Sequence, residues 1–139
     1  MTDIQLIIFL SLLAGALALD ETALLQLMIS QPLVAGSLAG LATGDVALGL
    51  TIGATLQLVW IGVLPVGSAP FPDGAVAGVA AVGVGALLGR AGVGYGVTLA
   101  TSVLTGVVAG SAGQPVISMA RRVNVRYANL ARAAAQDGH

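Results

Sequence analysis

The stretch VALGLTIGATLQLVWIGVLPVGSAPFP, residues 46–72, lies between Asp45 and Asp73 and contains no charged side chain. About 18 or more apolar residues suffice to cross a hydrocarbon core roughly 30 Å thick, so this one is longer than a crossing needs. Residues 46–64 predict a full-length helix, with Trp60 near its end as an interfacial anchor. The remainder, Pro65 to Asp73, holds Pro65, Pro70 and Pro72 and cannot be helical. At membrane depth such a backbone must line protein or a water-filled cavity, because its N–H and C=O groups need partners. Broken helices of that kind point to a transport site, although the same proline and glycine content suits an external loop.

The rest of the chain agrees with this stretch. Of 139 residues, 57% are hydrophobic and 8% charged, against about 25% charged in soluble domains, and the mean hydropathy is +0.99. The charges fall at Asp3, Asp20, Glu21, Asp45, Asp73, Arg90, Arg121, Arg122, Arg126, Arg132 and Asp137. They punctuate uncharged intervals spaced like membrane crossings. A net charge of −1 gives no basic field for nucleic acid outside the C-terminal tail. Without cysteine, disulfides, thiolate metal sites and thiol nucleophiles are excluded. The lone histidine, His139, can build neither a metal cluster nor a catalytic triad. The glycine run from Gly83 to Gly96 lacks the strand, turn and downstream acid of a nucleotide-binding loop.

Outward from the central stretch, residues 4–19 predict a short retained first helix, since no basic segment precedes it as in a signal peptide. It ends at Asp20 and Glu21, adjacent carboxylates that either cap a membrane end or form part of a site. Residues 22–44 are interrupted by Ser30-Gln31-Pro32 and predict two half-length helices. Asp45 follows Gly44 as a helix N-cap. Residues 74–89 and 91–118 make further helices split at Arg90, the last bendable at Pro115. Thr55 and Gln57 sit mid-helix, where uncharged polar groups pair with other helices or with a polar solute. Glycines recur four apart at 36/40/44, 49/53, 74/78, 85/89, 92/96 and 106/110, small stripes that let membrane helices approach closely.

The expected fold is therefore all-α: a multi-pass integral membrane protein with four to five transmembrane helices and broken or re-entrant segments. It divides into an embedded part, residues 1–120, and a basic tail, residues 121–139, that forms an amphipathic helix fraying at its end. The arginine bias puts the C-terminus on the cytoplasmic side of the cell (inner) membrane.

The order Leu19-Asp20-Glu21, Gln31-Pro32-Leu33, Gly44-Asp45, Gly53-Ala54-Thr55-Leu56-Gln57-Leu58 and Pro72-Asp73 resembles the N-terminal half of the IIC subunit of mannose/fructose/sorbose-type phosphotransferase systems. The likeness covers nearly the whole chain, and its motifs are specific by their order and spacing together. It implies a sugar permease subunit that binds a hexose in the membrane with a IID subunit, while IIA and IIB proteins relay a phosphoryl group from phosphoenolpyruvate. The IIC chain carries no phosphoryl-transfer residue of its own and no cofactor. Carried over by position, Asp20, Glu21, Thr55, Gln57, Pro72 and Asp73 frame the sugar path. Family members commonly have glutamate at the position of Gln57, so one charge-assisted hydrogen bond to a hydroxyl is absent here. The family subunit continues with a second membrane half, which implies pairing with another chain or an oligomer. Two other readings fit the same residues: a non-transporting half-permease acting as a membrane scaffold or regulatory subunit, and a small oligomeric channel.

Overall fold

A computed structural model describes residues 2–22, 28–62 and 72–137. Five helices make up this part: α1 (Asp3–Thr22), α2 (Pro32–Thr43), α3 (Val46–Trp60), α4 (Gly74–Arg90) and α5 (Tyr95–Asp137). Two are long and apolar enough to cross a membrane, α1 over Asp3–Asp20 and α5 over Tyr95–Val116, and each such window is only 22% buried. The core helix of a soluble domain would be largely covered. Here Ile7, Ile8, Phe9 and Leu12 of α1 and Val97, Leu104 and Val108 of α5 face outward, an apolar exterior suited to lipid. At 1.5 Å per residue, α2 and α3 rise only about 18 and 22 Å, short of a roughly 30 Å core.

Glycine contacts fix how the helices run. A Cβ on Gly36 would lie 2.9 Å from the Gly49 carbonyl oxygen and 3.0 Å from Gly53 Cα, and one on Gly40 would lie 2.9 Å from Gly49 Cα. Thus α2 and α3 form an antiparallel hairpin with backbones in contact, turned by Gly44 at φ 86°. Asp45 closes the turn, its Oδ1 accepting from Leu48 N at 2.9 Å. Gly74 sits on Pro32 and Gly78 on Gly36, so α4 runs parallel to α2. Gly85 meets Ser102, Gly106 meets Ala81 and Gly110 meets Ala77, so α5 is antiparallel to α4. Leu10 against Gly83 and the 2.9 Å pair of Arg90 with Asp3 make α1 antiparallel to α4 as well. Helix α4 is the hub and packs against all four others.

Several sequence expectations change. The interruption at Ser30-Gln31-Pro32 is present: Pro32 begins α2, where its missing N–H is harmless, and the first of the two expected half-helices falls partly on residues 23–27, outside the described residues. Helix α1 runs one turn further than expected and takes in Asp20. Helix α3 stops at Trp60 instead of residue 64, and the 63–71 part of the expected break lies outside the described residues. Trp60 is no lipid anchor: it is 9% exposed, and its ring fits where Gly110 has no side chain, Cη2 lying 2.8 Å from a Cβ placed there. The glycine stripes are not uniform. Gly89 and Gly96 meet nothing within 4 Å, while Gly44 and Gly92 serve as turn residues with φ of 86° and 76°. The tail is helical and continues the last helix, since α5 runs through Pro115 to Asp137; a single proline forfeits one bond, to Ser111 O, without ending the helix.

Candidate functional site

Because α1 and α3 run antiparallel to α2 and α4, one end of the bundle collects the C-termini of the first pair and the N-termini of the second. Asp20 lies in the last turn of α1 and is 2% exposed. Its Oδ2 accepts from Ile29 N at 3.3 Å, which ties the turn before α2 to α1. In that turn Met28 has φ 61°, a left-handed conformation unusual for a side-chain-bearing residue. The same turn rests on the start of α4, since a Cβ on Gly74 would lie 2.8 Å from both Ser30 O and Pro32 Cδ.

Asp73 precedes Gly74 and is 3% exposed. Its Oδ1 caps α4 by accepting from Val76 N at 3.0 Å, and its own N–H donates to Gly110 O at 3.0 Å. Gly113 leaves room for the carboxylate, for a Cβ there would stand 2.9 Å from Asp73 Cβ and 3.3 Å from Oδ2. Only Oδ1 is committed to the cap. A helix N-terminus carries positive partial charge, so buried carboxylates at this end are electrostatically matched. At α2 the N-cap residue Gln31 makes no side-chain capping bond.

The Ile29–Pro32 segment thus touches Asp20 at one point and Gly74, the residue after Asp73, at another, and Pro72 precedes Asp73 in the chain. Gln57 lies one turn before the C-terminus of α3, half-buried, and its Oε1 is buried with no hydrogen-bond partner among the described residues. Leaving such an acceptor unpaired costs about 1–3 kcal/mol, and a hydroxyl donor is what it lacks. Thr55 is placed differently. Two residues from Gln57 it points about 200° away around the helix, and its hydroxyl donates to Thr51 O at 2.7 Å, leaving it as an acceptor only. The side chain of Glu21 lies outside the described residues. Sequence reasoning missed Trp60, Gly110 and Gly113 as neighbours of Asp73; the signal was the Gly106, Gly110, Gly113 series, whose last step of three residues falls outside a search for glycines four apart.

An apolar groove of about 340 Å³ runs between α1 and α4, lined by Leu6, Leu10, Val79, Val84 and Leu87 among others. Its one hydroxyl, on Ser11, is bonded to Ile7 O at 2.8 Å. A polar solute finds no partners there, so the groove is not the site.

Comparison with known proteins gives the family. The family described as PTS system sorbose-specific IIC component matches residues 4–139. The chain belongs to this family. Among IIC relatives, it is 29% identical over 114 residues to the PTS system mannose-specific EIIC component of Escherichia coli (strain K12), covering 82% of this chain and 40% of that protein. It is 31% identical over 107 residues to the PTS system sorbose-specific EIIC component of Klebsiella pneumoniae, covering 77% and 38%. With the Fructose permease IIC component of Bacillus subtilis (strain 168) the identity is 31% over 142 residues, covering 100% and 48%. The chain spans less than half the length of these curated IIC relatives. No solved structure matches it.

Proposed function

We propose that this IIC chain forms the sugar-path part of a mannose-type phosphotransferase permease, binding a hexose that partner subunits phosphorylate as it enters. The observation that carries the reading is that two buried carboxylates, Asp20 and Asp73, lie at the same end of the bundle as the N-termini of α2 and α4. Hexose hydroxyls donate to carboxylates and amides, and charge-assisted bonds of this kind are roughly twice as strong as neutral ones. Asp20 and Asp73 accept from the sugar, and Gln57 Oε1 takes a further hydroxyl. Thr55 accepts on a separate face, while Pro72 holds the backbone entering Asp73. Glu21, next to Asp20 in sequence, is assigned to the same path. Helix N-termini at a buried polar site are a recurrent device of transporters built from short helices.

In this account a IID subunit completes the membrane part, IIA and IIB supply the phosphoryl group, and the chain crosses the cell membrane several times with its C-terminus in the cytoplasm. A second membrane half, or a second copy, packs against its apolar exterior. The test is phosphoenolpyruvate-dependent phosphorylation of labelled mannose, fructose and sorbose by membranes in which this chain is the IIC source, with IID, IIA and IIB added. Phosphorylation that requires the chain and falls with Asp73→Asn supports the permease. A chain that inserts and assembles with IID yet adds no phosphorylation is a scaffold.

A further inference from the structure

Beyond the bundle, α5 continues from Gln114 to Asp137, a helical arm of about 36 Å at 1.5 Å per residue. Residues 122–136 are exposed throughout. Val116, Met119, Val123, Tyr127 and Leu130 are all exposed large apolar side chains, and their spacings of three, four, four and three place them on one face of the helix. Val125 falls outside that face. Of the exposed arginines, Arg126 and Arg122 flank the stripe and Arg132 lies on the opposite face at about 100° per residue, and from Asp73 onward the sequence has no acidic residue until Asp137.

We infer that this arm is a membrane-surface helix that binds anionic lipid headgroups through its arginines while its apolar stripe enters the headgroup boundary. The inference rests on reading Tyr95–Val116 as a membrane crossing. An apolar stripe with a basic polar face is the pattern of helices that lie in the bilayer interface, and clustered arginines beside a crossing are drawn to an anionic leaflet. The bilayer is also the one partner held next to the arm by covalent connection, which raises its effective concentration. A second arm is the poorer occupant, since pairing would bring two sets of four arginines together with only one acid, Asp137, at the end of each. Pro115 offers a place to bend: it donates no bond to Ser111 O, and helices kink most often where a proline breaks the ladder in this way.

The chain has no native cysteine, so single nitroxides can be placed by Val123→Cys and Leu130→Cys on the stripe, by Asn129→Cys off it, and by Leu104→Cys on the crossing. The full chain is reconstituted in vesicles of phosphatidylcholine alone or with phosphatidylglycerol. The expected result is that the nitroxides at 123 and 130 become shielded from an aqueous nickel relaxant and accessible to oxygen only with the anionic lipid. Position 129 stays aqueous, and the shift is lost at raised ionic strength or on replacing Arg122, Arg126 and Arg132 with Gln. Stripe positions that remain aqueous in both lipids, or that are shielded equally in both, overturn the inference. Shielding accompanied by spin–spin coupling between copies assigns the stripe to self-association and overturns it too. If position 104 is itself aqueous, the crossing fails first, and the inference falls with it.

Discussion

Adding one methyl group to Gly49 should separate the α2–α3 hairpin. A Cβ there would stand 2.5 Å from Gly36 O, 2.7 Å from Gly40 Cα and 3.0 Å from Gly40 N. All three are backbone atoms, so no rotamer change relieves the contact. Ordinary Cβ contacts begin near 3.4 Å, so the two helices must part by about 0.9 Å on that face. Overpacking typically costs 1–3 kcal/mol, and a clash with backbone alone puts Gly49→Ala near about 3 kcal/mol. Two controls share the chemistry but not the contact. Gly44→Ala meets no atom within 4 Å but must hold φ 86°, costing about 1–2 kcal/mol. Gly89→Ala, in open space on α4, should stabilise by up to about 1 kcal/mol through helix propensity. Equilibrium unfolding in mixed micelles, followed by helical circular dichroism, gives the order. If Gly49→Ala unfolds with Gly89→Ala, the hairpin does not pack backbone to backbone and the description of α2 and α3 is wrong.

Asp73→Ala removes the α4 cap and should cost about 1 kcal/mol or more, whereas Asp73→Asn keeps an oxygen for Val76 N; the same unfolding assay should show Asn close to the native protein while its sugar phosphorylation falls. Gln57→Leu replaces an unpartnered buried acceptor with an apolar group and should leave the protein as stable or up to about 1–3 kcal/mol more so, yet lower phosphorylation at limiting sugar. Arg90→Gln breaks an ion pair whose partners are 43% and 68% exposed, and its effect on unfolding should stay below about 1 kcal/mol.

The helical class and the apolar exterior were legible in the sequence because uncharged intervals of crossing length leave few alternatives. The Asp45 cap was legible too, a residue just before a helix that accepts from the third residue on; Asp73 caps α4 in the same way, but the sequence sets it in the proline-rich break. What sequence could not supply was orientation. Whether Trp60 meets lipid or fills the gap above Gly110 depends on where α5 lies, a contact between residues fifty apart. The same holds for the glycines: Gly49 and Gly89 look alike in spacing, and only the position of α2 makes one of them irreplaceable. At the candidate site, Asp20 and Asp73 were readable as acids in apolar surroundings, but their placement at one end of the bundle follows from α4 running parallel to α2 and antiparallel to α1. Thr55 and Gln57 looked like one polar step, and helical rotation sends them to different faces.

The central claim is that this end of the bundle binds a hexose, and equilibrium binding of labelled mannose, fructose and sorbose to the purified chain with its IID partner tests it most directly, native against Asp20→Asn. Asparagine retains an acceptor for Ile29 N but removes the charge. A charge-assisted hydrogen bond contributes about 1.5–3 kcal/mol against about 0.5–1.5 kcal/mol for a neutral one, and 1.4 kcal/mol is a factor of ten in affinity, so the account predicts about a five- to tenfold rise in Kd for the bound hexose. Unchanged affinity in a variant that folds and pairs with IID would remove Asp20 from the sugar path and contradict the assignment of this end as the site.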